Sequence, residues 1–188
     1  MKIHIAIAIS LLFGLTTFST QVEAHKSDAT LIAKIRQATA KYLDVKNAKA
    51  DGYRMASNMV PNMGYHFRNA KIRGFEVDKP NLLLYIKHDD GSFQLAGVEW
   101  GWPKGKQPKS LPFKNAQWRD HGAACHYKDG TETHKASPKS CPKKSPKTGV
   151  QFAAWHPTLS TVHVWAWYPN PAGAFKSHNM ALAPFNKN

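Results

Sequence analysis

Residues 81–100, NLLLYIKHDDGSFQLAGVEW, place two apolar runs on either side of His88-Asp89-Asp90-Gly91. Asp-Gly between such runs is a strong β-hairpin signal, because glycine accepts the positive φ that a tight turn demands. A hairpin constrains the fold more than any other stretch of this chain, since side chains paired across it must share a face. A two-residue Asp90-Gly91 loop sets Ile86 opposite Leu95, Leu84 opposite Gly97 and Leu82 opposite Glu99. A four-residue loop keeps the same two sets of side chains together. Either way, Glu99 is expected on the side lined by Phe93 and Leu95, which is the wrong place for a lone carboxylate.

A charge in an apolar layer costs several kcal/mol unless it is paired, hydrogen-bonded, metal-bound or neutralised by a proton. Two histidines also sit inside strand-like runs: His66 in MGYHF (63–67) and His163 in STVHVWAWY (160–168). His156, in the Trp-His-Pro preceding that last run, stands at a loop-to-strand junction. Two imidazoles and a carboxylate on neighbouring strands are the ligand set that holds Zn, Fe or Mn with positions left open, and imidazole also suits Cu. The candidate ligands are therefore His66, Glu99 and His163, with His156 as a fourth, and Trp165 and Trp167 as the groups that exclude water and fix the His163 ring. Whether such a site handles the metal or uses it in catalysis is left open by the sequence. Arg68, Arg54 and Tyr65 are alternative partners for Glu99, and His163 has an alternative role as a core histidine donating to a carbonyl.

The remainder of the chain suggests its class. Leu31, Ile35, Ala38, Tyr42 and Val45 recur at spacings of three and four, which predicts a helix from Ser27 or Asp28 to about Ala50. Ser27 or Asp28 would cap its start, Gly52 would end it and Asp44 would divide it. One helix followed by several strands predicts an α+β fold: an N-terminal helix packed on an antiparallel, curved or barrel-like sheet. Residues 116–149 read as a long excursion of little regular pattern, tied by Cys125 and Cys141. In an oxidising compartment that pair reads as a disulfide, the alternative being two metal thiolates outside any CxxC spacing.

Oxidising surroundings are indicated by the N-terminus. Lys2, the apolar run of residues 5–18, and Val22 and Ala24 before His25 have the layout of a signal peptide over residues 1–24, leaving residues 25–188 as a single α+β domain. The apolar run is shorter than the roughly 20 residues a membrane-spanning helix needs, and no second run follows it. A periplasmic or secreted location is expected, and a histidine at a new N-terminus, His25, adds a copper-binding possibility through its amine and imidazole.

The formal charge of +14 favours encounters with anionic envelope polymer. Its lysines cluster at 104–114 and 135–147 among Pro and Gly, without a nucleic-acid motif, so no specific nucleic-acid partner is expected. GxSxG, P-loop and dinucleotide fingerprints are absent. All six tryptophans fall between residues 100 and 167. They support a second reading: a non-enzymatic binder of envelope polysaccharide or a small apolar ligand, using a tryptophan-rich basic surface. It requires Trp100, Trp102, Trp118, Trp165 and Trp167 to be exposed in a row, with Trp165 and Trp167 on one face.

The stretches ATAKYLDVKNAKADGY, MGYHF, LLLYI, LAGVEW, HGAACHYKDGT, CPKKSPKTG and AAWHPTLSTVHVWAWYPNPAGAF together resemble an uncharacterised family of exported bacterial proteins. MGYHF and WHPTLSTVHVWAWYPNP are the most specific of them, and the resemblance covers nearly all of residues 25–188. It implies a single domain and an envelope location, and it brings no catalytic residues to carry over.

Overall fold

A computed structural model describes residues 16–186, with side chains from Asp28 onward. Residues 1–15 of the expected leader, and the side chain of His25, lie outside the described part. Helix α1 spans Thr16–Thr39, a 3-10 turn follows at Ala40–Leu43, and α2 covers Val45–Ala50. The helix does not begin at Ser27 or Asp28. Asp28 lies within it, buried, and its carboxylate accepts from the backbone N–H groups of Lys114 and Asn115 and the Asn115 amide, so this acid anchors a distant loop instead of capping. Asp44 does divide the helical run: its carboxylate accepts the Lys46 N–H as the N-cap of α2. Gly52 follows α2 at φ +97°, a conformation that glycine adopts without steric cost.

Among the described residues nine strands follow: β1 Arg54–Met55, β2 Tyr65–Arg68, β3 Leu82–Lys87, β4 Phe93–Pro103, β5 Arg119–His121, β6 Ala124–Tyr127, β7 Glu132–His134, β8 Phe152–His156 and β9 Leu159–Val164. They form one six-stranded sheet, β1-β2-β3-β4-β9-β5, and one three-stranded sheet, β7-β6-β8. All pairings are antiparallel, and both sheets are open, not closed into a barrel. No helix of the described residues is long and apolar enough to cross a membrane.

Each face of the large sheet has its own core. On one side Leu83, Tyr85, Leu95, Val98 and Trp100 pack with Ile35 and Tyr42 of the helical segment. Two polar bonds tie the helical segment down there: Tyr85 Oη donates to the Tyr42 carbonyl at 2.7 Å, and Trp167 Nε1 to Thr39 Oγ1 at 2.9 Å. On the other side Leu84, Ile86, Ala96 and Trp165 pack with Leu182 and Phe185 of the C-terminal 3-10 turn, Met180–Phe185.

The hairpin register departs from the simple count. Leu82 faces Glu99 and Leu84 faces Gly97 as expected, but a bulge then sets Tyr85 opposite Leu95 and Ile86 opposite Gln94, leaving Ala96 unpaired. One extra residue flips every side chain beyond it. Phe93 and Leu95 therefore belong to the helix-facing core, and Glu99 points out of the opposite face, beside Leu82 and Gly97.

The last strand ends at Val164, and Trp165 N–H donates to the Ala174 carbonyl, so Trp165 and Trp167 leave the alternation and join opposite cores. Residues 116–149 hold three strands, β5 to β7, whose short polar sequences carry no apolar period. The expected disulfide is present, linking Cys125 on β6 to Cys141.

Closing a loop of 16 residues restricts the unfolded chain by about 3 kcal/mol. The double substitution Cys125→Ala/Cys141→Ala is expected to lower the unfolding free energy in urea by about that amount. A loss below about 1 kcal/mol would show that sheet pairing alone holds this loop.

Candidate metal centre

The register that turns Glu99 away from the helices also gathers its partners. His163 lies directly opposite Glu99 on β9, and His66 lies opposite Leu84 on β2, with β3 between β2 and β4. All three side chains leave the same face of the sheet. His66, paired with Leu84, and Glu99, paired with Leu82, meet over β3. His66 Nε2 stands 3.4 Å from Glu99 Oε2, and His163 Nε2 stands 3.6 Å from Glu99 Oε1. One ligand atom from each of the three residues lies within 4.8 Å of the other two.

These separations exceed the ordinary N–H···O hydrogen bond of about 2.9 Å. They match the edge of a coordination tetrahedron: bonds of about 2.1 Å at the tetrahedral angle separate two ligand atoms by about 3.4 Å. Glu99 Oε2, His163 Nδ1 and His163 Nε2 are buried without a hydrogen-bond partner. Native structures rarely leave buried polar atoms unpaired, and Glu99 Oε2 and His163 Nε2, both at the point where the three side chains meet, indicate a group able to satisfy them together. The donor set of two imidazoles and a carboxylate fits a transition-metal ion.

Burial dominates the electrostatics. Glu99 is 4 % exposed and its carboxyl is pushed up to about 8, first by desolvation and against the opposing effect of the Thr161 hydroxyl. His66 is pushed down to about 3 by desolvation and then by the nearby His126 and His121, and His163 is driven well below its usual range by desolvation. Without metal, both imidazoles are therefore neutral and Glu99 is protonated near pH 7, so the two close contacts are not ion pairs. The alternative partners of Glu99 are engaged elsewhere or face away. Arg54 donates to the Lys49 and Tyr53 carbonyls, Arg68 is exposed, and Tyr65 lies opposite Tyr85 on the other face.

Five residues around the three ligands shape the site, of which Trp165 is expected from the sequence. Ser57 Oγ lies 2.9 Å from His66 Nδ1 and also receives the His66 N–H, which fixes the ring with Nε2 toward Glu99. His121 Nε2 lies 3.0 Å from Thr161 Oγ1, so Thr161 links a partly exposed imidazole to the buried acid. Trp165 stacks beside His163, with ring centroids 6.2 Å apart and planes at 18°, and its Nε1 donates to the Lys176 carbonyl. Gly97 makes room for that indole: a Cβ there would lie 2.9 Å from the Val164 carbonyl oxygen and 3.1 Å from Trp165 Cε3. The sequence hint for Gly97 was its place opposite Leu84. Ser57 and Thr161 had no signal beyond being short polar residues.

His156 is not part of this group. It lies on β8 in the small sheet, where its Nδ1 donates to the Pro157 carbonyl at 2.6 Å and its ring packs on His126. The tryptophans form no exposed row either. Trp100 and Trp165 are buried, Trp102, Trp118 and Trp167 are half-buried, and Trp102 and Trp118 pack edge to face over the helix-side core. In comparisons with protein families, characterised proteins and solved structures, nothing matches this chain.

Glu99→Gln tests the buried acid without metal. A glutamate that ionises near 4.5 when unfolded but near 8 when folded binds more protons in the folded state between those values, so stability falls as pH rises through that window. Metal-free Glu99→Gln is expected to gain on the metal-free parent by a few kcal/mol from pH 4.5 to pH 8, read from urea unfolding at each pH. A constant difference across the window would contradict an acid held neutral by burial.

Proposed function

We propose that this protein is an exported, periplasmic or secreted metal-binding protein in which His66, Glu99 and His163 hold one transition-metal ion, Zn, Cu, Fe or Mn. The observation that carries the reading is the geometry of Glu99, whose two oxygens stand 3.4 and 3.6 Å from two imidazole nitrogens with no hydrogen bond to account for the approach. Bound metal would favour the ionised carboxylate and neutral imidazoles, offsetting the cost of the buried acid. With Nδ1–H given to Ser57, His66 would present the Nε2 lone pair, as metal-binding histidines do when their other nitrogen is hydrogen-bonded. Three protein ligands leave coordination positions for water or a small molecule, which suits either metal handling or metal-assisted chemistry.

Export is supported by the leader-like residues 1–24, by the Cys125–Cys141 disulfide and by the resemblance to an exported family. The charge of +14 supports loose encounters with anionic envelope polymer.

Protein purified without chelator is expected to carry one tightly held ion by elemental analysis. At free metal about a hundredfold above Kd, binding should stabilise the fold by about 2.7 kcal/mol, seen as a raised Tm. Glu99→Gln/His163→Gln is expected to abolish both the ion and the shift. Metal-free protein that takes up no Zn, Cu, Mn or Fe would defeat the proposal.

A further inference from the structure

The small sheet carries a second set of ligand-type side chains that the buried centre does not use. Across β6 and β7, His126 faces Glu132 and Ala124 faces His134. Across β6 and β8, Ala124 faces His156 and His126 faces Ala154. Residues paired or two apart along these strands share a face, so His126, Glu132, His134 and His156 all project from one side around the small side chain of Ala124.

Contacts on that face agree with the register. The His126 and His156 rings are 4.9 Å apart between centroids at 33°, and His134 Nε2 lies 3.7 Å from Glu132 Oε1. Glu132 and His134 are exposed, whereas His126 and His156 are half-buried. This places two half-buried imidazoles in ring contact beside one exposed carboxylate whose present neighbour is His134. The tautomer of His156 is set as well: a carbonyl accepts only from an N–H, so the contact to Pro157 puts the proton on Nδ1 and the lone pair on Nε2. From behind, Cys125 projects from the opposite face of β6 into its disulfide, and Trp155 Nε1 on β8 donates to the Lys135 carbonyl just past β7.

We infer that His126 and His156, with Glu132 closing over them, form a second, solvent-facing site for a divalent transition-metal ion. Its donors repeat the buried set of two imidazoles and one carboxylate, and its exposure makes it the weaker and more rapidly exchanging of the two. It lies close to the buried centre, since the charges of His126 and His156 both bear on His66. The rim site stands on its own residues and does not depend on the buried one being occupied.

The test is a Zn2+ titration by calorimetry at pH 7 in two backgrounds, the parent chain and Glu99→Gln/His163→Gln. In both, one equivalent is expected to disappear when His126→Ala and His156→Ala are added, with circular dichroism confirming that the sheet is retained. Rim substitutions that remove no equivalent in either background would overturn the proposal, as would rim binding weaker than about 1 mM. The count in the Glu99→Gln/His163→Gln background keeps failure of the buried reading separate from failure of this one. Imidazole 15N spectra of the parent chain supply a check free of substitutions. Zn2+ should shift His156 Nε2 and both His126 nitrogens while the His156 Nδ1–H persists, and unmoved signals at 1 mM Zn2+ would sink the site.

Discussion

The large sheet is organised around one unfavourable act, the burial of the Glu99 carboxyl group on a face that also receives two imidazoles. Leu84, Ile86, Ala96 and Trp165 make the surroundings apolar, so the acid cannot ionise cheaply, and neither histidine comes close enough for a good hydrogen bond. A chain selected only for stability would be better served by apolar residues at these positions. Keeping all three polar groups there is understandable when something else shares them, and one atom from each lies within 4.8 Å of the others, close enough to hold one ion.

The β4 bulge makes this arrangement possible. By leaving Ala96 unpaired it sends Phe93 and Leu95 to the helix-facing core while Gly97 and Glu99 emerge on the other side. The Ala96 carbonyl then accepts from both the Trp167 and Tyr168 N–H groups, at 3.1 and 2.8 Å. The irregularity that aims the acid therefore also anchors the corner that lays Trp165 beside His163. Bulges beside functional sites commonly re-aim a side chain in this way.

Much of the site could be read from the residue order, because strand alternation is a strict rule and His66, Glu99 and His163 obey it locally. Alternation predicts the burial of Glu99 but not its neighbours. Its expected neighbours Phe93 and Leu95 lie across the bulge, and an extra residue in a strand leaves no mark when both flanking segments are apolar. His156 shows a different limit: alternation gives a face but not the sheet to which that face belongs. The small sheet leaves no sequence signal, because strands of three to five residues with polar sides look like loop. Ser57 lies in an irregular segment before β2, where only tertiary folding brings it to His66.

The stacking of Trp165 on His163 has a practical consequence. An indole held parallel to a liganding ring in a dry interior is a natural optical gauge. An open-shell ion such as Cu2+ on that imidazole would darken its emission, while closed-shell Zn2+ would leave it bright. Ion binding at the proposed centre would therefore be readable from the protein's own emission, without an added dye.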